Sequence, residues 1–351
     1  MAQTMTVAIE RDLGDTSPGF REQVKRLEAD GRFVVRFLNG SGSDAIPADE
    51  LRDVDLCVLM GKRRIDESSL AGAERLKWLG RFGAGFENVD IDACNRHAVI
   101  LSNSPYGIRQ PVAELVMAYI FAHTTRLRFF DRYIRERGFE KKGSQTTRCV
   151  SGRTLGLIGC GGIAQCLIEL VTPLKMNLLA YDPHVDRAAM AERGVKLVSM
   201  DEVFGSADFV SVHVPLTDET RGLITERHFR MMKPTAQFIN TSRGGIYSDA
   251  VLAKVLDEGV IAGAALDVFE DEPDVADNPL LKCERAILTP HTAGAGNNID
   301  SMRMVMESLV DSIFLMADGQ LPGSILNPEA VPEEVPVEKL SPSFNPLQAR
   351  S

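Results

Sequence analysis

Arg243, Glu272 and His291 follow one another through the last third of the chain, and each suits one part of a proton-coupled reduction. A guanidinium keeps its charge and grips a carboxylate through two parallel hydrogen bonds, so Arg243 is a candidate anchor for an acid group. An unperturbed imidazole titrates near pH ~6.5, so His291 can give or take a proton in the neutral range. A carboxylate beside it, Glu272, favours the imidazolium and fixes the ring tautomer. Reducing a ketone next to a carboxylate needs these three functions and a hydride donor. Taken singly, each residue has an ordinary reading: a solvated Arg-Gly turn, a loop carboxylate before Pro273, a structural histidine after a strand.

The hydride donor has its own signature. Leu155 to Ile158 reads as a strand and Ile163 to Leu174 as a helix, with Gly159-Cys160-Gly161-Gly162-Ile163-Ala164 between them. Such a loop makes a tight turn at Gly159, lets backbone approach a pyrophosphate at Gly161 and Gly162, and aims a helix N-terminus at the phosphates from Ile163 onward. Ala164 replaces the third glycine, where helix meets strand. Asp182 ends the next strand, where a carboxylate accepts ribose hydroxyls and repels a 2′-phosphate, so the expected cofactor is NAD. The ordinary alternative is a glycine-rich turn without a ligand. No metal site is expected.

Short apolar runs alternate with helical patterns almost throughout the chain. This predicts an α/β chain with two Rossmann-like, doubly wound parallel sheets. Strands are expected at Thr6 to Ile9, Phe33 to Phe37, Leu56 to Met60, Leu79 to Phe82 and Val99 to Leu101. A second set is expected at Leu155 to Ile158, Leu178 to Tyr181, Phe209 to Val212, Gln237 to Ile239, Ala262 to Leu266 and Ala286 to Leu288. Helical patterns near Pro111 to Arg128 and Asn298 to Ala317 join the two sets, behind Pro105-Tyr106-Gly107 and Gly294-Ala295-Gly296. The expected division is a substrate-binding domain, 1–107 completed by 297–327, and a dinucleotide domain, 108–296, with a hinged cleft between them. Residues 328–351, rich in Pro and Glu, read as an irregular tail.

Composition bounds the rest. The 351 residues are 44% hydrophobic and 25% charged, with a formal net charge of −10. That charge argues against a nucleic-acid surface but allows an anionic substrate, which local cations decide. No apolar run suits a bilayer and no leader pattern stands at the start, so a cytoplasmic location is expected. The six cysteines lack a C-x-x-C pair and read as thiols rather than disulfides or zinc ligands.

Several motifs in fixed order resemble the D-isomer-specific 2-hydroxyacid dehydrogenase family. They are Gly83-Ala84-Gly85-Phe86-Glu87-Asn88-Val89-Asp90, His213-Val214-Pro215-Leu216, Asn240-Thr241-Ser242-Arg243-Gly244-Gly245, Ala265 through Pro273, and Thr289-Pro290-His291. The resemblance runs from Val7 to about Asn327. It implies an active site between two domains, usually in a homodimer, with a small 2-keto or 2-hydroxy acid as substrate. It assigns catalysis to Arg243, Glu272 and His291, and the nicotinamide side to Asp267 as a support. His213 falls on the adenosine side, and Val214, Pro215, Thr241 and Ser242 also fall on the cofactor. Gly83, Ala84 and Gly85 form a turn suited to the substrate carboxylate.

The chain departs from the family at Gln110-Pro111, where relatives carry small or hydroxyl-bearing residues, and loosely across Gly138 to Gly152. A basic run, Lys62-Arg63-Arg64, and Arg81 stand where a second anionic group of the substrate would be read, as in phosphoglycerate-dehydrogenase-like relatives. A solvated basic turn is the alternative. Formate- or phosphite-type oxidation on the same scaffold is a competing reading, and Glu272 counts against the formate case. An NAD-sensing, corepressor-like binding protein is the non-catalytic competitor.

Overall fold

Runs rich in Val, Ile and Leu form parallel strands in two separate sheets, with crossover helices between them. The computed structural model describes residues 4–10, 18–38, 44–61, 63–139, 146–294 and 298–332. Contacts divide the chain into two compact units, Met1–Ile108 with Gly294–Ser351, and Arg109–Ala293.

The first unit holds β1 (Met5–Glu10), β2 (Phe33–Leu38), β3 (Leu56–Leu59), β4 (Trp78–Arg81) and β5 (Ile100–Asn103), in the order β2-β1-β3-β4-β5. All neighbours are parallel, and β1 meets β2 from Met5 opposite Phe33 to Glu10 opposite Leu38. Every residue of β3 is buried, as a strand covered on both faces requires. The second unit holds β6 (Thr154–Ile158), β7 (Asn177–Tyr181), β8 (Val195–Leu197), β9 (Phe209–Val212), β10 (Gln237–Asn240), β11 (Gly263–Leu266) and β12 (Ala286–Leu288). Their order is β12-β11-β10-β9-β6-β7-β8, again parallel. The doubly wound α/β architecture expected from the alternation is therefore present in both units. The strand β8 was not expected: Val195-Lys196-Leu197 is a short edge strand with too little apolar signal.

Five described helices reach ten residues: α1 (Pro18–Glu28), α2 (Tyr106–Thr124), α3 (Leu127–Arg137), α4 (Gly162–Val171) and α5 (Ile299–Ala317). In the first unit, Val305, Leu309 and Ile313 of α5 pack with Phe20 of α1 and with Trp78. In the second, Ala164 and Ile168 of α4 share a core with Val116 and Ile120 of α2 and with Leu155 and Leu157 of β6.

Two details correct the sequence reading. The helix expected to start at Pro111 begins at Tyr106 and carries the proline inside it. Pro111 has no N–H for the carbonyl of Gly107, and the Ser301 hydroxyl donates to that carbonyl instead, at 2.8 Å. The helix also stops at Thr124, because Arg126 takes a left-handed conformation (φ +53°) that no α-helix continues through. What read as one helix to Arg128 is two, α2 and α3. Of the tail, Pro328–Ala330 form a 3₁₀ turn with Ala330 buried. The remainder of the tail, 333–351, lies outside the described residues, as do Ala295 and Gly296. Among the described residues no helix is long and apolar enough to cross a membrane.

Candidate active site

In a parallel sheet every strand presents its C-terminal end on the same edge, and ligands bind there. The glycine loop leaves β6, Asp182 follows β7, His213 follows β9, Thr241 to Arg243 follow β10, Asp267 follows β11, and Thr289 to His291 follow β12. All the cofactor and catalytic candidates of the second unit thus share one edge of one sheet, though 132 residues separate Gly159 from His291 in sequence.

Gly159 has φ +93°, and a Cβ built on it would stand 2.8 Å from the carbonyl oxygen of His213, so only glycine fits. Gly161 caps α4, and a Cβ there would point into open space. Gly162 and Ile163 open the helix, whose first N–H groups have no intrahelical acceptor. Asp182 accepts from the Cys160 N–H at 2.7 Å and from the His184 N–H at 2.8 Å, which holds its carboxylate at the tip of the glycine loop. Burial pushes the His213 imidazole down to about 4, and its Nε2 lies 2.9 Å from the Ser211 hydroxyl, so the ring is neutral at pH 7. Val214 is half-buried against the Gly159 position and Pro215 is exposed. The hydroxyl of Thr241 is buried without a hydrogen-bond partner among the described residues. An orphaned donor here, on the same sheet edge as a glycine loop open at Gly161, fits a dinucleotide.

One contact that sequence reasoning did not find concerns Arg109. Its side chain lies across Gly162, with Nε 2.3 Å from where a Cβ would be. A guanidinium therefore rests on the first residue of α4, beside the phosphate-binding turn. Nothing in the spacing of residues 109 and 162 announces this.

The catalytic candidates are held by a dense set of backbone contacts. Asn240 donates to the Arg243 carbonyl at 2.8 Å and accepts from the Ser242 N–H and hydroxyl at 2.9 and 2.7 Å, which closes the turn. Arg243 is half-buried and donates to the Ser242 carbonyl at 2.7 Å. The next residue, Gly244, abuts the backbone of Phe269. The N–H of Phe269 in turn donates to Oε1 of Glu272 at 2.9 Å. Oε2 of Glu272 lies 2.7 Å from Nδ1 of His291. A carboxylate only accepts, so Nδ1 carries the proton and Nε2 faces outward; the imidazole side chain is 45% exposed, enough to meet a substrate.

His291 itself has φ +53°, an uncommon conformation for a residue with a Cβ, and its N–H donates to the carbonyls of Asp267 at 2.8 Å and Thr289 at 3.1 Å. Asp267 explains how that loop is kept. Its carboxylate is fully buried and accepts from the Thr289 hydroxyl, the Thr292 N–H at 2.8 Å and the Ala293 N–H at 2.9 Å. Tyr119 of α2 reaches the same Thr289 hydroxyl, and burial raises its phenol pKa. The structure thus ties Asp267 to the loop that carries His291 and leaves its side chain no exposed surface.

In the first unit, Gly83 has φ +83° at the end of β4. The carbonyls of Gly83 and Ala84 are taken up by the Ser104 N–H at 2.9 Å and the Asn103 amide at 2.8 Å, and Gly85 follows. The basic residues are less available than their sequence suggests. Arg63 has a side chain only 7% exposed and pairs with Glu50 at 3.0 Å, so it is a structural cation where it stands. Arg81 donates to Asn88 at 3.1 Å and to the Leu59 carbonyl at 3.2 Å. Arg64 is exposed, 3.9 Å from Asp66. Lys62 lies outside the described residues. The buried Arg63 and the half-buried Arg81 both act on Glu10, whose carboxyl is raised by burial against the opposing pull of the Gly61 and Met60 N–H groups and of Arg81 and Arg63.

Residues 117–293 match the family model for the NAD binding domain of D-isomer specific 2-hydroxyacid dehydrogenases. A glyoxylate reductase of Korarchaeum cryptofilum is 34% identical over 292 residues, 82% of this chain and 87% of that protein. A D-3-phosphoglycerate dehydrogenase of Archaeoglobus fulgidus is 36% identical over 246 residues, 70% of this chain but 46% of that protein, so the chain spans about half of it. Among solved structures, a D-lactate dehydrogenase from Aquifex aeolicus, complexed with NAD and lactic acid, superposes with a TM-score of 0.77 at 26% identity, covering 89% of this chain and 96% of that one.

Proposed function

The chain belongs to the D-isomer-specific 2-hydroxyacid dehydrogenase family, and on that premise we propose that it interconverts a 2-keto acid and its D-2-hydroxy acid. Its second unit is an NAD-binding domain and its cofactor is NAD. Bound NADH supplies the hydride for the keto carbon. The guanidinium of Arg243 grips the substrate carboxylate and thereby orients the carbonyl. His291, protonated, gives its Nε2 proton to the carbonyl oxygen as the alcohol forms, and takes it back in the reverse direction. Glu272 holds the ring at Nδ1 and offsets the positive charge.

The observation that carries this reading is the 2.7 Å contact between Glu272 and His291, on a loop locked by Gly244 to the turn bearing Arg243. A binding protein that only sensed NAD would have no use for a carboxylate-oriented, outward-facing imidazole. The test is oxidation of NADH by the purified chain with glyoxylate, pyruvate and phosphorylated or dicarboxylic keto acids. Turnover of at least one supports the proposal; tight NADH binding with no turnover of any, across pH, assigns the binding role instead.

The proposal extends to a homodimer. α3 has no buried residue, and Leu127 (63% exposed), Ile134 (42%) and, just beyond it, Phe139 (90%) present apolar surface that a second copy would cover. Sedimentation equilibrium decides it, with a monomer expected from Leu127→Asp/Ile134→Asp.

A further inference from the structure

The edge of the seven-stranded sheet opposite the chemistry carries a second concentration of charge. A cavity of about 680 Å³ opens there, where Thr235, Ala262 and Arg285 lead into β10, β11 and β12. The end of α2, the start of α3 and Arg148 form the remaining wall. Although the chain as a whole has a formal charge of −10, the lining includes Arg126, Arg128, Arg132, Arg148 and Arg285 against one carboxylate, Glu284. Arg128 is fixed in place by donation to the Ala286 carbonyl at 2.7 Å, and Arg132 stands 3.8 Å from Glu284. Among the described residues, Arg126, Arg148 and Arg285 form no ion pair.

Five guanidiniums against the one carboxylate of Glu284 leave an excess of positive charge around this space, which an entering anion would offset. We infer that this cavity binds a small molecule carrying two or more phosphate or carboxylate groups. Guanidinium forks match such groups in geometry as well as charge, and the volume suits a metabolite-sized ligand. A long polyanion is a poor occupant, because the net negative charge of the rest of the molecule repels it. The cavity does not touch the glycine loop, Arg243, Glu272 or His291, which sit at the other ends of the same strands. It also uses a different face of α3 from the apolar one: Arg128 and Arg132 stand one turn apart, and Leu127 and Ile134 lie about a third of the way round the helix from them.

The cavity contains its own reporter. His123 lines it, with its ring edge-on to Phe209 at 6.2 Å. Burial first, and then the charges of Arg126 and Arg148, push its imidazole down to about 4 against the pull of the Thr235 backbone. An anion between those arginines changes the field at that ring.

The experiment titrates the full chain with inorganic pyrophosphate in the presence of saturating NADH, which fills the glycine loop, and reads heat and the His123 imidazole resonances. Saturable binding that moves those resonances is expected, with affinity at least tenfold weaker in Arg126→Ala/Arg148→Ala and NADH affinity unchanged. Absence of saturable binding by the unmodified chain, or undiminished binding by the double variant, overturns the inference. So does a double variant that turns from dimer to monomer while pyrophosphate leaves His123 unmoved, which gives the cavity to a second copy. The His123 signal reads this cavity whether or not NADH binds, so failure of the cofactor reading is seen separately.

Discussion

Gly244 lies so close to Phe269 that a Cβ on it would stand 1.9 Å from the Phe269 carbonyl oxygen and 2.2 Å from its carbonyl carbon. Both obstacles are backbone, so neither can swing aside. Because the Phe269 N–H also holds Glu272, this one contact sets the turn of Arg243 against the loop of Glu272. Gly244→Ala is therefore expected to lower stability by about 1–3 kcal/mol, the usual range for overpacking. It is also expected to lower kcat/KM at least tenfold by displacing two of the three catalytic groups together. A variant with unchanged kinetics would mean that the two loops are positioned independently.

The pairing of Glu272 with His291 makes a prediction about non-additivity. General acid catalysis is typically worth about 10²–10⁴-fold, so His291→Asn is expected to lower kcat by that range and leave NADH affinity unchanged. Glu272→Gln keeps the shape and removes the charge, with a smaller loss. If Glu272 acts through the imidazole, the double variant is no worse than His291→Asn alone. Multiplying losses in steady-state kinetics would show that Glu272 has a separate task.

The parts legible in the sequence were those written in contiguous runs. Leu155 to Ile158 followed by the glycine loop has a strand's composition and a turn's glycines in ten residues, and it folds accordingly. Glu272 and His291 stood out because, with Arg243, they sit at positions matching the motifs of one family in fixed order. What stayed hidden depends on segments far apart in sequence meeting in space. No periodicity in residues 63 and 50 says that Arg63 spends its charge on Glu50. Nor does the sequence say that Ser301 relieves the carbonyl Pro111 cannot serve, or that Thr289, Thr292 and Ala293 close around Asp267.

His213 gives a pH prediction whose sign is fixed by the direction of its shift. Folded, its imidazole sits at about 4; the ordinary value is 6.5. Above 6.5 neither the folded nor the unfolded ring is charged, and its contribution to stability is complete. As pH falls from 6.5 toward 4, only the unfolded ring takes up a proton, so that contribution is lost progressively. Between pH 7 and 5 the loss is at most about 2 kcal/mol, at about 1.4 kcal/mol per unit, and less for a ring that retains some solvent. Urea unfolding at both pH values should show His213→Gln losing less stability than the unmodified chain over that interval. Equal losses would mean that the folded ring is protonated as readily as a free one.

Arg109 is the residue whose place is least expected and whose effect is simplest to measure. Its guanidinium crosses Gly162 at the N-terminal turn of α4, where the helix already offers N–H groups and partial positive charge to a pyrophosphate. A charge-assisted hydrogen bond contributes about 1.5–3 kcal/mol, so Arg109→Ala is expected to weaken NADH roughly ten- to a hundredfold. The same substitution should weaken ADP-ribose, which keeps the pyrophosphate and lacks the nicotinamide, by the same factor. AMP, with no pyrophosphate, should bind the variant and the unmodified chain alike, and Arg109→Lys should restore part of the loss. Fluorescence titration or calorimetry gives all three affinities without turnover. A loss confined to NADH would place the guanidinium at the nicotinamide end, and no loss with either pyrophosphate ligand would show that Arg109 does not meet the pyrophosphate.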